Sequence, residues 1–530
     1  MGNQVQGIME KVKRKHAPTP AYVSPNQLTL DAFKSPFERE LNPKNRWVIL
    51  AGLIPWDEIC SLYLKNVTES STGRPPLNPR IVIGSLIIKH MGNLDDREAV
   101  EQMAENIYMQ YFLGYTSFTN EPPFDASLFV DFRKKLDMDI LNAINEKIAE
   151  LKGNFVSQND IRKSEKDSLD SSGSDNFSNS SDVENKGKII FDATACPQDI
   201  AYPTDLDLLS DAREKSEQLI DRLYNKVLHG KKPRTYRKIA RKRYLQTAQK
   251  KNKTHKEIRK ATGSQLGFLK RNLNSINHLL DSYKTIPLKS KNYKYLLVIN
   301  TLYAQQQEMH SNGVHRIDDR IVSIHQPHVR PIVRGKSQAK VEFGAKIHLS
   351  LIDGISFLDQ LSWDAFNEGT HMMEYIEKYR NRFGFYPKEV LADQIYCNRI
   401  NRAALKEKGI KLLGKPLGRP SAVQQHVSPG ERNPIEGKFG QAKTAYGLNR
   451  IKARLRETSE SWIASIILVL NLVKLAGEAL PSLFVKMLLC FSAQAFRISS
   501  LTHAEKEYHK NLADIMKILY SKRVELKYAA

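Results

Sequence analysis

The chain holds only four cysteines in 530 residues, Cys60, Cys196, Cys397 and Cys490, and no two of them form a CxxC pair. That spacing argues against a zinc site and a disulfide framework, and it points to a reducing cytoplasm. The opening MGNQVQGIMEKVKRKHAPTP lacks the apolar core of a signal peptide. The one long apolar run, Trp462 to Leu472, is too short to cross a bilayer and leads into Lys474 and Glu478. It is expected to be a buried helix, and no membrane is expected as a partner. Acids are the scarcer charge, 58 Asp and Glu against 81 Lys and Arg, for a formal +23. Such an excess favours a polyanionic partner, because each phosphate neutralised by a cation releases condensed counterions. Ribosomal and membrane-surface proteins are also basic, so charge points to nucleic acid without saying which.

What is present divides the chain. Residues 1–28 are polar and proline-containing, expected as a flexible arm. From 29 to 152 the pattern is helical throughout. NPRIVIGSLIIKHMG stops at Gly92, and DDREAVEQMAENIYMQYFLGY follows with acids in its first turn, as the helix dipole prefers. Two helices joined by a short Gly-containing turn are either a DNA-reading helix-turn-helix or an antiparallel packing pair. Arg133, Lys134 and Lys135 either touch a nucleic-acid backbone or form a solvated face. Residues 153–187, including SEKDSLDSSGSDNFSNSSDVENKG, have too little apolar surface to offset ordering entropy and read as a disordered Ser/Asp-rich linker.

Beyond the linker, KGKIIFDATACPQDI is a strand-type run with Asp192 at its end. A helical insertion follows, about 205–312. Within it Lys231 to Lys260 carry fourteen cations against the single acid Glu257, with Tyr236 and Tyr244 interleaved. Such a stretch tracks phosphates but reads no bases. KIHLSLIDGISFLDQLSW is a hairpin about Asp353 and Gly354. A helix, a short strand ending near Asp393, a second helix and the strand IKLLG come next. A Gly, Pro and Ser rich loop, 414–430, then leads to NPIEGKFGQAKTAYGLNRIKARL. There Asn433 is a plausible N-cap, Pro434 suits the first helical position, and Glu436, Phe439, Gly440, Lys443 and Gly447 share one side. Glu436 is either a site acid or the N3 partner of a capping box.

This order, strand with Asp192, insertion, hairpin, helix, strand with Asp393, helix, strand, helix with Glu436, is that of a ribonuclease H-like α/β fold. The expected catalytic domain spans 188–485, with a C-terminal helical tail from 486 to 530. Two strand-end aspartates and a helical glutamate suit phosphodiester chemistry, in which two divalent cations about 4 Å apart activate the attacking oxygen and stabilise the leaving 3′ oxygen. Hard carboxylate oxygens select Mg²⁺ or Mn²⁺. Trp363 is expected in the core rather than stacked on a base, and no metal role is expected for His325 and His328.

Around the glutamate the spacing Arg432, Glu436, Lys443 resembles the signature of the DDE transposases of bacterial insertion sequences, with Pro429 where that signature has Tyr. FDATACPQDIAYPTDLDLL, HVRPIVRGK, EFGAK, LSWDAFNEG and VLADQIY are similar to one subgroup of that family, and FERELNPKNRWVILAGLIPW to LFVDFRKKLD resembles its N-terminal helical domain. The resemblance implies that Asp192, Asp393 and Glu436 are a metal-binding catalytic triad holding two Mg²⁺ or Mn²⁺ ions. It implies that Arg432 and Lys443 hold transposon-end DNA and that the domain 29–152 binds terminal inverted repeats. The implied function is cleavage and strand transfer of element ends on double-stranded DNA, by a homo-oligomer in the bacterial cytoplasm near the nucleoid. A ribonuclease H-like nuclease that cuts without joining, and an inactive or domesticated DNA-binding protein, are the alternatives.

Overall fold

A computed structural model describes residues 40–65, 76–151, 184–333, 341–414 and 429–497, with side chains up to 477. The expected arm lies outside the described residues, as do nearly all of the linker and of the loop before Glu436. The chain divides into two compact units, Met1–Lys474 and Leu475–Ala530.

The first unit opens with helices α1 (Arg46–Leu53), α2 (Trp56–Lys65), α3 (Pro79–Met91), α4 (Asp96–Glu105), α5 (Ile107–Phe112) and α6 (Leu128–Lys135), then α7 (138–151). Short polar residues tie off the orphan N–H groups where these helices begin. The side chains of Asn45, Asn78 and Asp95 accept from Trp47, Arg80 and Arg97 N–H in turn. Twelve of the thirteen residues of α3 are buried. The outer face of α4 shows Glu98, Glu101 and Glu105, with Arg97 the one cation among them. The first helix of the pair is thus buried and the second turns an acidic face outward. Arg133 takes neither expected role: it is buried and joins both Asp96 carboxylate oxygens at 2.9 and 2.7 Å.

The sheet follows: β1 (Lys188–Pro197), β2 (Arg330–Val333), β3 (Val341–Ile352), β4 (Ile355–Ser362), β5 (Glu389–Leu391) and β6 (Lys411–Leu413). Strand β1 is central, antiparallel to β3 on one side and parallel to β5 on the other, with β6 parallel beyond β5. The far side of β3 carries β4 along its second half and β2 along its first. Asp353 and Gly354 make the expected hairpin turn, both at positive φ (49° and 81°), the backbone of a type I′ turn.

Asp192 corrects one expectation. It lies within β1, opposite Leu349 of β3, and the strand runs on to Pro197 because β3 is long enough to pair with all of it. Only the partner on the other side, β5, stops short.

Between β1 and β2 stand α8 (Asp205–Leu223), α9 (Lys226–His229), α10 (Arg237–Ala248), α11 (His255–Asp281) and α12 (Ser290–Asn312). These helices bury a core of their own that includes Leu209, Leu219, Leu269, Ile276, Ile299 and Leu302. The remaining helices are α13 (Met372–Phe383), α14 (Arg399–Glu407), α15 (Asn433–Ala445) and α16 (Arg456–Arg497).

The run Trp462–Leu472 within α16 is buried, as expected. One described helix, 456–477, is long and apolar enough to cross a membrane, and 72% of its apolar window is buried inside the fold. Asn471 explains how that burial is satisfied: it accepts from Ser356 N and donates to Ser356 O and Asn145 Oδ1, tying α16 to the β3–β4 hairpin and α7.

Candidate active site

Parallel pairing of β1 with β5 sets the geometry. The last paired residues are Ile190 and Leu391. Asp192 stands two residues further along β1, and Asp393 two residues past the end of β5, so both lie toward the same edge of the sheet. Each carboxylate is fixed locally by the next N–H: Ala193 donates to Asp192 and Gln394 to Asp393, both at 2.8 Å. In Asp393 that bond caps a 3₁₀ turn, Gln394–Tyr396.

Arg432 joins the two acids. Its Nη2 is 3.8 Å from Asp192 Oδ2 and its Nη1 3.2 Å from Asp393 Oδ1, while its Nε is buried with no hydrogen-bond partner. The preceding Glu431 pairs with Lys188 at 2.8 Å, which anchors the entry of α15 to the start of β1. Burial pushes the Asp192 carboxyl up from its ordinary value; the Ala193 N–H and Arg432 oppose this, and Glu368 and Asp393 add to it.

Helix α15 begins one residue earlier than its cap signal suggests. Asn433 is its first residue, Arg432 occupies the cap position without a side-chain cap bond, and Pro434 follows inside the first turn. The capping-box reading of Glu436 is therefore not realised. Ile435, Phe439 and Ala442 are buried, and Glu436 is exposed one helical turn after Arg432. Gly440 has open space where a Cβ would stand, whereas Gly447 lies past the helix at φ +73°, packed on Asn93, and offers no gap on the helix face. Among the described residues Glu436 forms no hydrogen bond or ion pair. Among them, too, no group of three or more His, Cys, Asp or Glu side chains is close enough to hold a metal ion. Asp192 and Asp393 are brought together around Arg432; Glu436 is not drawn in with them. Lys443 is half-buried on the same helix.

Trp363 is a core residue: its ring meets His328 edge-on at 4.3 Å and its Nε1 donates to Glu460. His325 Nδ1 lies 2.9 Å from the Tyr295 hydroxyl, and burial lowers the pKa of His328 to about 4.

Sequence reasoning passed over Glu368, in the turn between β4 and α13. Its available signal was Asn-Glu-Gly shortly after β4, which ends at Ser362: Asn367 caps the turn by accepting from Gly369 N, and Gly369 permits a close approach.

Two family models match the chain, one described as a transposase domain (DUF772) over residues 35–135 and one as a transposase DDE domain over 390–473. The two segments are thus similar to transposase domains, the second to the DDE type. The DDE match begins on β5 and takes in Asp393, Arg432, Glu436 and Lys443. A curated Rhizobium meliloti protein, ORF8 in the nfe locus, is 37% identical over 109 residues, which is 20% of this chain; the chain covers about half the length of that relative. No solved structure matches the chain.

Proposed function

We propose that this chain is an active transposase, cutting DNA at the ends of an insertion sequence and joining them to target DNA from a ribonuclease H-like domain. The sheet order β4-β3-β1-β5-β6, with β3 antiparallel to both of its neighbours and β1, β5 and β6 parallel, supports the fold. The single observation that carries the function is the pair Asp192 and Asp393, on β1 and just past β5, sharing the Arg432 guanidinium.

Asp192, Asp393 and Glu436 are the residues that would hold two Mg²⁺ or Mn²⁺ ions. The donors are all carboxylate oxygens, the type these ions take. Bound there, the ions supply activation of the attacking oxygen and charge relief at the leaving 3′ oxygen. Both reactions are in-line substitutions at phosphorus. Water attacks first and the 3′ oxygen leaves as a hydroxyl; that hydroxyl then attacks a target phosphodiester. Arg432, with an unpartnered Nε donor, binds a phosphate oxygen and places the strand, and Lys443 holds end DNA further along α15. The N-terminal helices recognise terminal inverted repeats, and joining two ends calls for a homo-oligomer, working near the bacterial nucleoid.

The test is joining of a pre-cut, labelled element end to plasmid DNA with Mg²⁺ or Mn²⁺, for wild type beside Asp192→Asn and Asp393→Asn. Metal-dependent joining by wild type, lost in both variants with end binding kept, is expected. Cleavage without joining by the wild type would replace this reading with a nuclease.

A further inference from the structure

A second basic element follows α15, outside the signature that holds Arg432 and Lys443. Parallel pairing on one side of β1 stops at Ile190 with β5 and resumes, just past the end of β1, at Gln198 with Ile451. Gln198 N donates to Phe343 O on the β3 side, while Ile451 N donates to Pro197 O and Asp199 N to Ile451 O on the other, both at 2.9 Å. Two residues further, Ala453 O accepts from the buried Gln198 side chain and, at 2.9 Å, from Ser459 Oγ. The segment 450–454 is thereby tied down at its second and fourth residues. Those two are also its buried ones, Ile451 at 0% and Ala453 at 7% exposure. Arg450, Lys452 and Arg454 alternate with them and are exposed.

Burial of period two belongs to extended backbone, in which residues i and i+2 share a face. The three cations therefore stand in one line with a step of about 6.6 Å, twice the rise per residue. That step is close to the one between successive phosphates of a nucleic-acid strand. Lys452 and Arg454 form no ion pair or hydrogen bond among the described residues. Arg450 meets Asp199 at 2.9 Å in a pair open to solvent, the kind that holds weakly. What sets this stretch apart from a solvated basic face is its base. The anchors at Ile451 and Ala453 leave the backbone little freedom to lose when a phosphate strand binds. The same edge carries the candidate site: Asp192 lies between the two pairings, five residues before Pro197, or roughly 17 Å of strand. At about 3.4 Å of rise, that is about five base pairs of duplex.

From this arrangement we infer that the segment 450–454 is a phosphate comb. Arg450, Lys452 and Arg454 hold successive phosphates of one strand of the element end, beginning about five base pairs from the phosphate at Asp192 and Asp393. The contact reads no bases; it sets how far the DNA reaches into the site. The inference rests on the transposase reading, and its test separates the two. Full-length wild type and the triple Arg450→Gln, Lys452→Gln, Arg454→Gln are titrated with a labelled duplex ending in the element's terminal repeat, and with a scrambled duplex of equal length, over a range of salt.

The triple should melt with the wild type, since all three side chains are exposed. Its plot of log affinity against log salt should be shallower by about two to three on both duplexes, about 0.9 for each cation lost. The double Arg450→Lys, Arg454→Lys keeps the charges and should keep the wild-type slope. Neutral methylphosphonates are then placed singly along the terminal-repeat duplex. Those about five to eight positions from the cleavage point should weaken binding by wild type and leave the triple indifferent. An unchanged slope in the triple overturns the inference, and so does a triple that loses as much as wild type from those methylphosphonates. A wild type that binds both duplexes alike and joins neither to plasmid DNA takes down the transposase reading, and the slope on the scrambled duplex then decides the comb by itself.

Discussion

In the N-terminal helices Arg80, Lys89 and Arg133 are all buried, whereas on α10 of the insertion Lys238, Arg241 and Lys242 are all exposed. Each buried cation is spent inside the fold. Arg80 donates to Phe112 O and lies over the Trp56 ring. Lys89 donates to Leu94 O, stands 3.4 Å from Asp96 and sits 4.0 Å above Trp462, and Arg133 holds Asp96 from the other side. On α10 the side facing the insertion core is anchored by buried Ala240, by Arg237 on Asp221 and by Tyr244 on Asp207. The opposite side presents Lys238, Arg241, Lys242, Leu245 and Gln249 at helical spacing, and none of its three cations forms an ion pair among the described residues. Net charge counts both sets alike. Only the second can release counterions from a polyanion.

The comparison breaks most visibly at Asp96. Asp96→Ala leaves Lys89 and Arg133 buried without their shared carboxylate, and should lower the unfolding free energy by about 3 kcal/mol in a denaturant titration, with DNA affinity of the folded protein unchanged. The converse change is the triple Lys238→Gln, Arg241→Gln, Lys242→Gln. Its stability should stay within about 0.5 kcal/mol per site. The plot of log affinity for DNA against log salt should become shallower by up to about three, and an unchanged slope would remove α10 from the DNA interface.

A subtler test is pH. Burial, ahead of the attraction of Asp96, lowers the pKa of Lys89 to about 8 from 10.5. Below pH 8 the lysine is charged in both folded and unfolded chains, and its burial penalty is present in full. Between about 8 and 10.5 the unfolded chain binds the proton and the folded chain does not, so this group makes stability rise with pH. The denaturant midpoint of wild type should therefore gain on that of Lys89→Met between pH 7.5 and 9.5; parallel profiles would contradict a neutral lysine in the core.

Legibility in the sequence followed how local the determinant was. Asp353–Gly354 was readable because a two-residue hairpin turn demands positive φ, and the covering helix 462–472 because its apolar run has no interruption. The true extent of β1 was not, since what carries the strand past Asp192 is the length of β3, some 150 residues away. The burial of Arg133 depends on Asp96 and Trp462, which adjoin it only in the fold. The cap of α15 was misplaced by one residue because Asn433 and Pro434 suit either position by propensity. Of the residues named from the sequence, Asp192, Asp393 and Arg432 are brought together, and Glu436, named by its signature spacing, makes no metal-holding group with them among the described residues.

Glu436 is thus where the account is most exposed. Strand transfer of a pre-cut element end by Glu436→Gln, with end binding measured in the same preparation, tests it most directly. The account predicts that joining is lost while the end is still bound. Joining at the wild-type rate would contradict it, and would show that the acids around Asp192 and Asp393 do their work without this glutamate.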